Sequence, residues 1–402
     1  MTAPPTRLRA AARTIILSSA LVGALSSFAM NAVLPSLPEI QAHFAARLTT
    51  TQLIISAGFL ALALGNLLVA PLSDRIGRKP VILGGVAVFA GASLLAALAP
   101  HIAVVIAARI AQAFGIGAAT AVARAALNDH FGPEGAATGI AYTAMAILFV
   151  PLVASSIGGY AAEWFGWRMP FLLSALAGMA AALYIALRTP PAPVRRDSPA
   201  TPRSGLLHSY ATLLAEPRYR AYALFGSLLL CGVYAFIAGA PYVARTRLGL
   251  SAADYGLWAG LPALASLVAF GLAARVARQA GAATMLAAGT AIAVAGGAVL
   301  LLGVALGQAH PLALFGPAAA VSFGQSIALP NALAGALGIR PGAAGAAAGL
   351  MGFLQLALSA LVAQGVALFA NGTAWPLAVG VFASTLGAAA AWWRLRALGA
   401  LR

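Results

Sequence analysis

The chain has 402 residues, of which 62% are hydrophobic and only 8% are charged. Soluble domains carry about 25% charged residues, so this composition excludes a soluble globular protein and indicates a chain embedded in a bilayer. The single cysteine, Cys231, excludes a disulfide framework and a cysteine-based metal cage, and we expect neither a metal nor a cofactor.

Twelve apolar runs, each close to the length that spans a bilayer as a helix, follow one another along the chain. They cover residues 14–37, 50–71, 80–98, 102–126, 136–158, 169–188, 220–243, 254–274, 283–306, 311–333, 342–368 and 375–393. The first run follows a basic start, as in a secretory signal, but eleven more runs come after it. We therefore interpret it as an uncleaved first helix and number the runs as helices 1 to 12.

A polar break divides the twelve runs into six and six. It holds the proline-rich, charged stretch TPPAPVRRDSPATPRS, which is typical of a linker. A short helix on the membrane surface is predicted after it, over 205–215. We predict an N-terminal bundle over 1–188, a cytoplasmic linker over 189–219 and a C-terminal bundle over 220–402.

A trace of internal duplication relates the two halves. Leu72, Arg75 and Arg78 recur 200 residues later as Leu272, Arg275 and Arg278. The fold class that follows is an all-α membrane protein with twelve transmembrane helices in two pseudo-symmetric bundles.

Basic residues are distributed unevenly between the two sides of the predicted bundle. Only Arg47, Arg168, Arg245 and Arg247 fall on the side away from the termini, and Arg109 lies within a span. Because cytoplasmic loops carry the excess of lysine and arginine, both termini are predicted to be cytoplasmic. The bases lie in short loops without interleaved aromatic residues, so the net charge of +16 does not indicate a nucleic-acid partner.

The loop between helices 2 and 3 is the most characteristic stretch of the chain. Its sequence APLSDRIGRKP contains Asp74, Arg75, Gly77, Arg78 and Lys79. It resembles the signature loop of the major facilitator superfamily, G-x-L-x-D-R-x-G-R-[KR], with alanine in place of the leading glycine. Positive-inside charges alone are the alternative interpretation, but they do not require an aspartate. The resemblance implies a gate on the cytoplasmic side.

Helix 4 carries a charged residue deep in the predicted membrane. Arg109 lies eight residues beyond His101, and burying a guanidinium there costs at least about 2.5–3.5 kcal/mol. The alternative is that its side chain extends outward to the nearby interface. Arg109 and Gln112 resemble the helix 4 motif R-x-x-Q-x-x-G of the same superfamily, in which the arginine takes part in coupling protons to substrate. Arg124 and Asp129 resemble the pair that helps to close the inner gate.

Proline positions narrow the resemblance to one branch, the bicyclomycin and chloramphenicol resistance transporters. Helix 1 ends with a segment similar to that branch's D-x-Y-L-P-x-L-P, in which Asn31 replaces the acid and Pro35 is retained. Helix bends are expected at Pro35, Pro151, Pro241 and Pro330. At Pro330 we expect an interruption of helix 10 that frees backbone carbonyl groups.

A central substrate cavity is implied by the resemblance. Its candidate residues are Asn31, Arg109, Gln112, Tyr142, Phe236, Gln325, Asn331 and Gln355. The glutamines and asparagines are equally consistent with hydrogen bonds that hold helices together. An apolar cavity with a few polar groups suits a small amphiphile.

The expected function is transport by alternating access, in a monomer of the bacterial plasma membrane, with a small-molecule substrate and no enzymatic activity. Proton-coupled efflux of drugs or metabolites is the first hypothesis. However, no Asp, Glu or His lies at mid-membrane and Asn31 cannot titrate. An uncoupled facilitator or a non-proton exchanger therefore remains open. A membrane sensor or membrane enzyme is disfavoured, because the sequence shows no nucleophile–base pair, metal cluster or phosphate loop.

Overall fold

The structure, a computed structural model, describes residues 6–190 and 203–400. Twelve of its helices are long and apolar enough to cross a membrane, and the described residues contain no strand. The predicted all-α fold class with twelve spans is therefore confirmed.

The spanning helices keep the numbering of the apolar runs. In the first bundle they are helix 1, Thr6–Ala32, helix 2, Leu48–Leu68, helix 3, Arg78–Ala97, helix 4, Ile102–Phe131, helix 5, Tyr142–Phe165, and helix 6, Met169–Arg188. In the second bundle they are helix 7, Pro217–Arg247, helix 8, Ala252–Val276, helix 9, Gln279–Ala305, helix 10, Pro311–Gly338, helix 11, Ala344–Leu368, and helix 12, Trp375–Ala397.

Short helices connect some of the spans. A 3₁₀ turn, Leu34–Ser36, and a helix, Leu37–His43, follow helix 1. The loop after helix 2 forms the helix Ala70–Ile76, which ends at Gly77 with φ 97°, where a glycine is favoured and the chain reverses into helix 3. The helix predicted after the linker is confirmed as Arg203–Ala215.

Equivalent helix pairs of the two bundles pack closely through glycine residues. A Cβ atom on Gly115 of helix 4 would lie 2.7 Å from the carbonyl oxygen of Gly85 on helix 3. In the second bundle, a Cβ atom on Gly289 of helix 9 would lie 2.5 Å from the carbonyl oxygen of Gly324 on helix 10. Both helix pairs therefore need glycine for close approach, which agrees with two pseudo-symmetric bundles.

The helix ends form two faces of the molecule. We call the terminal face the one that carries the start of helix 1 and the end of helix 12, and the far face the opposite one. Because each span crosses once, the loops after helices 2, 4, 6, 8 and 10 lie on the terminal face.

Candidate functional site

The hydrophobic core is shared between the bundles on the far face and divided on the terminal face. One large cluster contains Leu37, Ile55 and Phe171 of the first bundle together with Ala240 and Val381 of the second. Toward the terminal face, one separate cluster belongs to helices of the first bundle and another belongs to the second bundle with its linker helix. The bundles are thus packed together at the far face and have their own cores at the terminal face.

Helices 2 and 11 close one side of the interface between the bundles. The Ser56 hydroxyl donates to the Gln364 Oε1 atom at 2.9 Å, and the Gln364 Nε2 atom donates to the Thr49 carbonyl oxygen at 3.0 Å. One turn further into the membrane, the rings of Phe59 and Tyr234 meet edge to face at 4.2 Å. These contacts lie in the far half of the membrane.

Helices 5 and 8 close the other side. The Ser156 hydroxyl donates to the Gly256 carbonyl oxygen at 3.1 Å, and the Ala253 N–H donates to the Glu163 carboxylate at 2.9 Å. A side chain on Gly256 would overlap the backbone of Ser155, whereas one on Gly260, a turn deeper, would lie 3.6 Å from Leu152. The two helices therefore approach most closely near the far face.

Arg109 is buried inside the first bundle, with a relative exposure of 1%. Its guanidinium donates to the backbone carbonyl oxygens of Ala29 at 3.1 Å and Ile54 at 3.4 Å. It also donates to the Gln112 side-chain oxygen, and the Gln112 amide in turn donates to the Ser93 hydroxyl. Among the described residues, no carboxylate bonds to this arginine. Neutral acceptors from helices 1, 2 and 4 hold it in place, so its side chain does not extend to the interface.

Asn31 is bonded within its own helix. Its Nδ2 atom donates to the Ser27 carbonyl oxygen at 2.8 Å, and its own carbonyl oxygen accepts from the Ser155 hydroxyl at 3.4 Å. Gly158 of helix 5 touches the backbone of the neighbouring Ala32. The structure thus places Asn31 at the junction of helices 1 and 5.

The candidates of the second bundle are spread over different surroundings. A Cβ atom on Gly226 of helix 7 would lie 3.0 Å from the Gln355 Nε2 atom, so Gln355 faces helix 7. The Asn331 Nδ2 atom donates to the Ile327 carbonyl oxygen at 3.0 Å, and Gln325 is partly buried. Phe236 has a relative exposure of 6% and packs edge to face on Phe315 at 5.6 Å. Phe236 therefore packs into the core that the two bundles share, and its place in a substrate cavity stays a prediction.

The structure places Tyr142 on the surface and the four candidate prolines at different points along the helices. Tyr142 is 55% exposed at the terminal-face end of helix 5. Pro35 lies in the 3₁₀ turn that follows helix 1, and Pro151 and Pro241 lie inside helices 5 and 7. The interruption expected at Pro330 is wrong, because helix 10 continues from Pro311 to Gly338. Proline removes a single N–H donor there, and in the same turn the Asn331 Nδ2 atom bonds the Ile327 carbonyl oxygen.

The charged loop on the terminal face is bonded to its own bundle. The Arg78 Nε atom donates to the Asp129 carboxylate at 2.8 Å and its guanidinium bonds the Ser73 hydroxyl. The Lys79 Nζ atom donates to the carbonyl oxygens of Ala186 at 2.9 Å and Thr189 at 2.6 Å, at the end of helix 6. These bonds attach the loop to helices 4 and 6.

The other gate candidates are placed less tightly. Arg75 is exposed at the end of the loop helix, and Gly77 forms its reversal. The side chain of Asp74 lies outside the described residues. Asp129 pairs with Arg78 and not with Arg124, which is exposed. The role of Arg124 and Asp129 in closing the inner gate stays a prediction.

Three contact residues were missed in the sequence. Ser56 and Gln364 are polar residues within apolar runs, where neither has a partner that the sequence identifies. Glu163 follows the fifth apolar run, which ends at 158, but helix 5 continues to Phe165. The sequence held one indication of Glu163, namely an acidic residue shortly after the fifth apolar run, where a helix can continue.

Comparison with known proteins agrees with this architecture. Residues 19–364 match the family model of the Major Facilitator Superfamily. Multidrug resistance protein D of Escherichia coli (strain K12) is 29% identical over 343 residues, covering 85% of each chain. The bicyclomycin resistance protein homolog of Haemophilus influenzae is 26% identical over 368 residues, covering 90% of this chain and 91% of that one.

A solved structure shares the fold. It is a bacterial homolog of the human lysosomal transporter Spinster, in an inward-facing and occupied conformation, with a TM-score of 0.78, 15% identity and coverage of 100% of this chain and 98% of that chain. The family model covers most of the sequence, and the fold is similar to that of this solved transporter. The chain therefore belongs to the Major Facilitator Superfamily of membrane transporters.

Proposed function

We propose that the protein exports small amphiphilic drugs or metabolites across the bacterial plasma membrane by alternating access, with both termini in the cytoplasm. The observation that carries this proposal is the arrangement of the cores, which are joined at the far face and separate at the terminal face. Such an arrangement is the expected packing of a transporter closed to the outside. The two drug-resistance relatives, together with the basic terminal face, support the direction and the cargo.

The polar groups near the interface favour an uncharged cargo. Arg109 is satisfied by neutral acceptors inside the first bundle, and Gln355 and Asn331 supply amides rather than charges. A cationic cargo would need a buried carboxylate as partner. We therefore propose amphiphiles with amide or hydroxyl groups as the favoured class.

Proton antiport is the form of coupling that we propose first, with Arg109 linking the state of helix 1 to that of helix 4. The second candidate is an uncoupled facilitator or non-proton exchanger. It is favoured by one observation, the Asn31 side chain that bonds the Ser27 carbonyl at the position where an acid was expected.

Purified protein in liposomes with an imposed pH gradient separates the candidates. A panel of drugs that includes chloramphenicol is added while internal pH and drug content are followed. Antiport predicts drug-dependent proton movement that persists in Asn31→Ala and is lost in Arg109→Ala. A variant at an exposed position in the last turn of helix 8, Arg275→Ala, serves as the control. Drug flux without proton movement supports the second candidate, and no flux of any drug in the panel contradicts drug efflux.

A further inference from the structure

One ionisable side chain bridges the two bundles at the far face. The Glu163 carboxylate, in the last turn of helix 5, accepts the hydrogen bond from the Ala253 N–H in the first turn of helix 8 at 2.9 Å. The other described hydrogen bonds between the bundles use the uncharged side chains of Ser56, Ser156 and Gln364. Only Glu163 among these can change its charge.

Glu163 completes the N-terminus of helix 8. The helix caps itself with a reciprocal pair, in which the Ser251 hydroxyl accepts from the Asp254 N–H at 3.1 Å and the Asp254 carboxylate accepts from the Ser251 N–H at 3.3 Å. That pair does not bond the Ala253 N–H. Its acceptor is the Glu163 carboxylate of the first bundle. A carboxylate at this position is also favoured by the positive end of the helix dipole.

The contact depends on the separation of the bundles. Gly159 lies against the backbone of Ala252 and Gly256 lies against Ser155, so helices 5 and 8 are as close here as their backbones permit. When the far face opens, Glu163 must leave the Ala253 N–H, and water replaces it. The energy of the contact therefore belongs to the closed far face alone.

We propose that Glu163 is the latch of the far face. Its carboxylate stabilises closure because it accepts from the Ala253 N–H and lies at the positive end of the helix 8 dipole. A neutral amide in its place would be a weaker acceptor and would not interact with the dipole as a charge. Loss of the carboxylate should therefore favour opening of the far face.

Other ionisable groups on the surrounding segments have contacts of their own. Glu39 accepts from the Trp167 N–H at 3.3 Å within the first bundle, and Arg168 lies 4.4 Å over the Trp167 ring. Asp254 caps its own helix, and Arg245 and Arg247 are exposed at the end of helix 7. These neighbours supply matched controls, because their side chains do not bond the Ala253 N–H.

Distances between spin labels across the far face test the latch. Labels are placed on Arg47→Cys and Gln308→Cys, two exposed positions on different bundles, in a Cys231→Ser background in nanodiscs. Dipole interactions of this kind predict that Glu163→Gln increases the far-open population about two- to five-fold at neutral pH.

The controls decide whether the effect belongs to Glu163. Glu39→Gln and Asp254→Asn should keep the wild-type distribution. The proposal is overturned if Glu163→Gln matches the wild type, or if Glu39→Gln and Asp254→Asn shift the distribution as much as Glu163→Gln does. The inference rests on the proposed function only in that the far face opens during the cycle. The measurement needs no cargo, so drug transport can fail without affecting it.

Discussion

The two faces of the molecule are held in different ways. At the far face, helices from opposite bundles share one core and bond to each other through Ser56, Gln364 and Glu163. At the terminal face, the charged residues Arg78 and Lys79 are bonded to helices of their own bundle. The described hydrogen bonds between the bundles are mostly uncharged, which allows them to be exchanged, while the charged residues Arg78 and Lys79 bond within their own bundle.

Loss of Arg109 should have the largest effect, because this residue ties three helices of one bundle together. Arg109→Ala removes the donor to the Ala29 carbonyl oxygen and to the Gln112 side-chain oxygen, and bonds to charged groups contribute about 1.5–3 kcal/mol each. We expect transport to be lost and the thermal unfolding temperature of the purified protein to fall. Arg109→Lys should not restore transport, since an ammonium group lacks the planar fork that reaches several acceptors. Transport at the wild-type rate in Arg109→Lys would contradict this role.

A bulky residue at Gly256 should open the far face. The backbone of Ser155 occupies the position of a new side chain, and overpacking costs about 1–3 kcal/mol, a shift of about 5- to 150-fold toward separation. Gly256→Leu is compared with Gly271→Leu on the same helix, where nothing lies within 4 Å. Spin-label distances across the far face should lengthen only in Gly256→Leu. Equal distances in the two variants would show that helices 5 and 8 do not govern the far face.

Gln364→Leu should weaken the opposite side of the same face. The substitution removes two hydrogen bonds between the bundles and leaves the Ser56 hydroxyl without that acceptor, at a cost of about 1–3 kcal/mol. The far-open population should rise in the spin-label measurement, whereas Gln41→Leu on the far surface should have no effect. An unchanged distribution in Gln364→Leu would assign closure to helices 5 and 8 alone.

Gln52→Leu should have the smallest effect on the far-open population, and it should lower that population where the two preceding variants raise it. Gln52 has a relative exposure of 0%, and neither its Nε2 nor its Oε1 atom has a hydrogen-bond partner. It lies one turn before Ser56, on the side of helix 2 that faces the second bundle. Because an unpaired buried polar atom costs about 1–3 kcal/mol, leucine should stabilise the closed far face and raise the unfolding temperature slightly. A rise in the far-open population would be the opposite result.

The fold could be predicted from the sequence because each spanning helix is recognised from its own run of apolar residues. All twelve spans were identified in this way, but helix 5 and helix 7 extend past their apolar runs to Phe165 and Arg247. The polar residues at these ends were counted as loops, and Glu163 was missed for that reason. An apolar run in the sequence shows where the chain leaves the bilayer core, but the helix can continue beyond that point.

The partners within the site could not be predicted, because they depend on packing between helices distant in sequence. Arg109 was identified as buried, yet its acceptors are backbone carbonyls, which every residue has. Gln364 and Gln355 look alike in an apolar run, but one bonds across the bundles and the other faces helix 7. Asp129 shows the same limitation, since its pairing with Arg78 depends on the packing of helix 4 beside the loop between helices 2 and 3.

The most direct test of alternating closure measures both faces in the same protein. One label pair is placed at Arg47 and Gln308 on the far face, and a second pair at Ile76 and Arg340 on the terminal face, all four being exposed positions. In the wild type we predict a narrow far-face distance distribution, and in Gly256→Leu we predict that the far-face distance lengthens while the terminal-face distance shortens. A far-face distance that lengthens with no change at the terminal face would contradict the exchange of closure between the two faces.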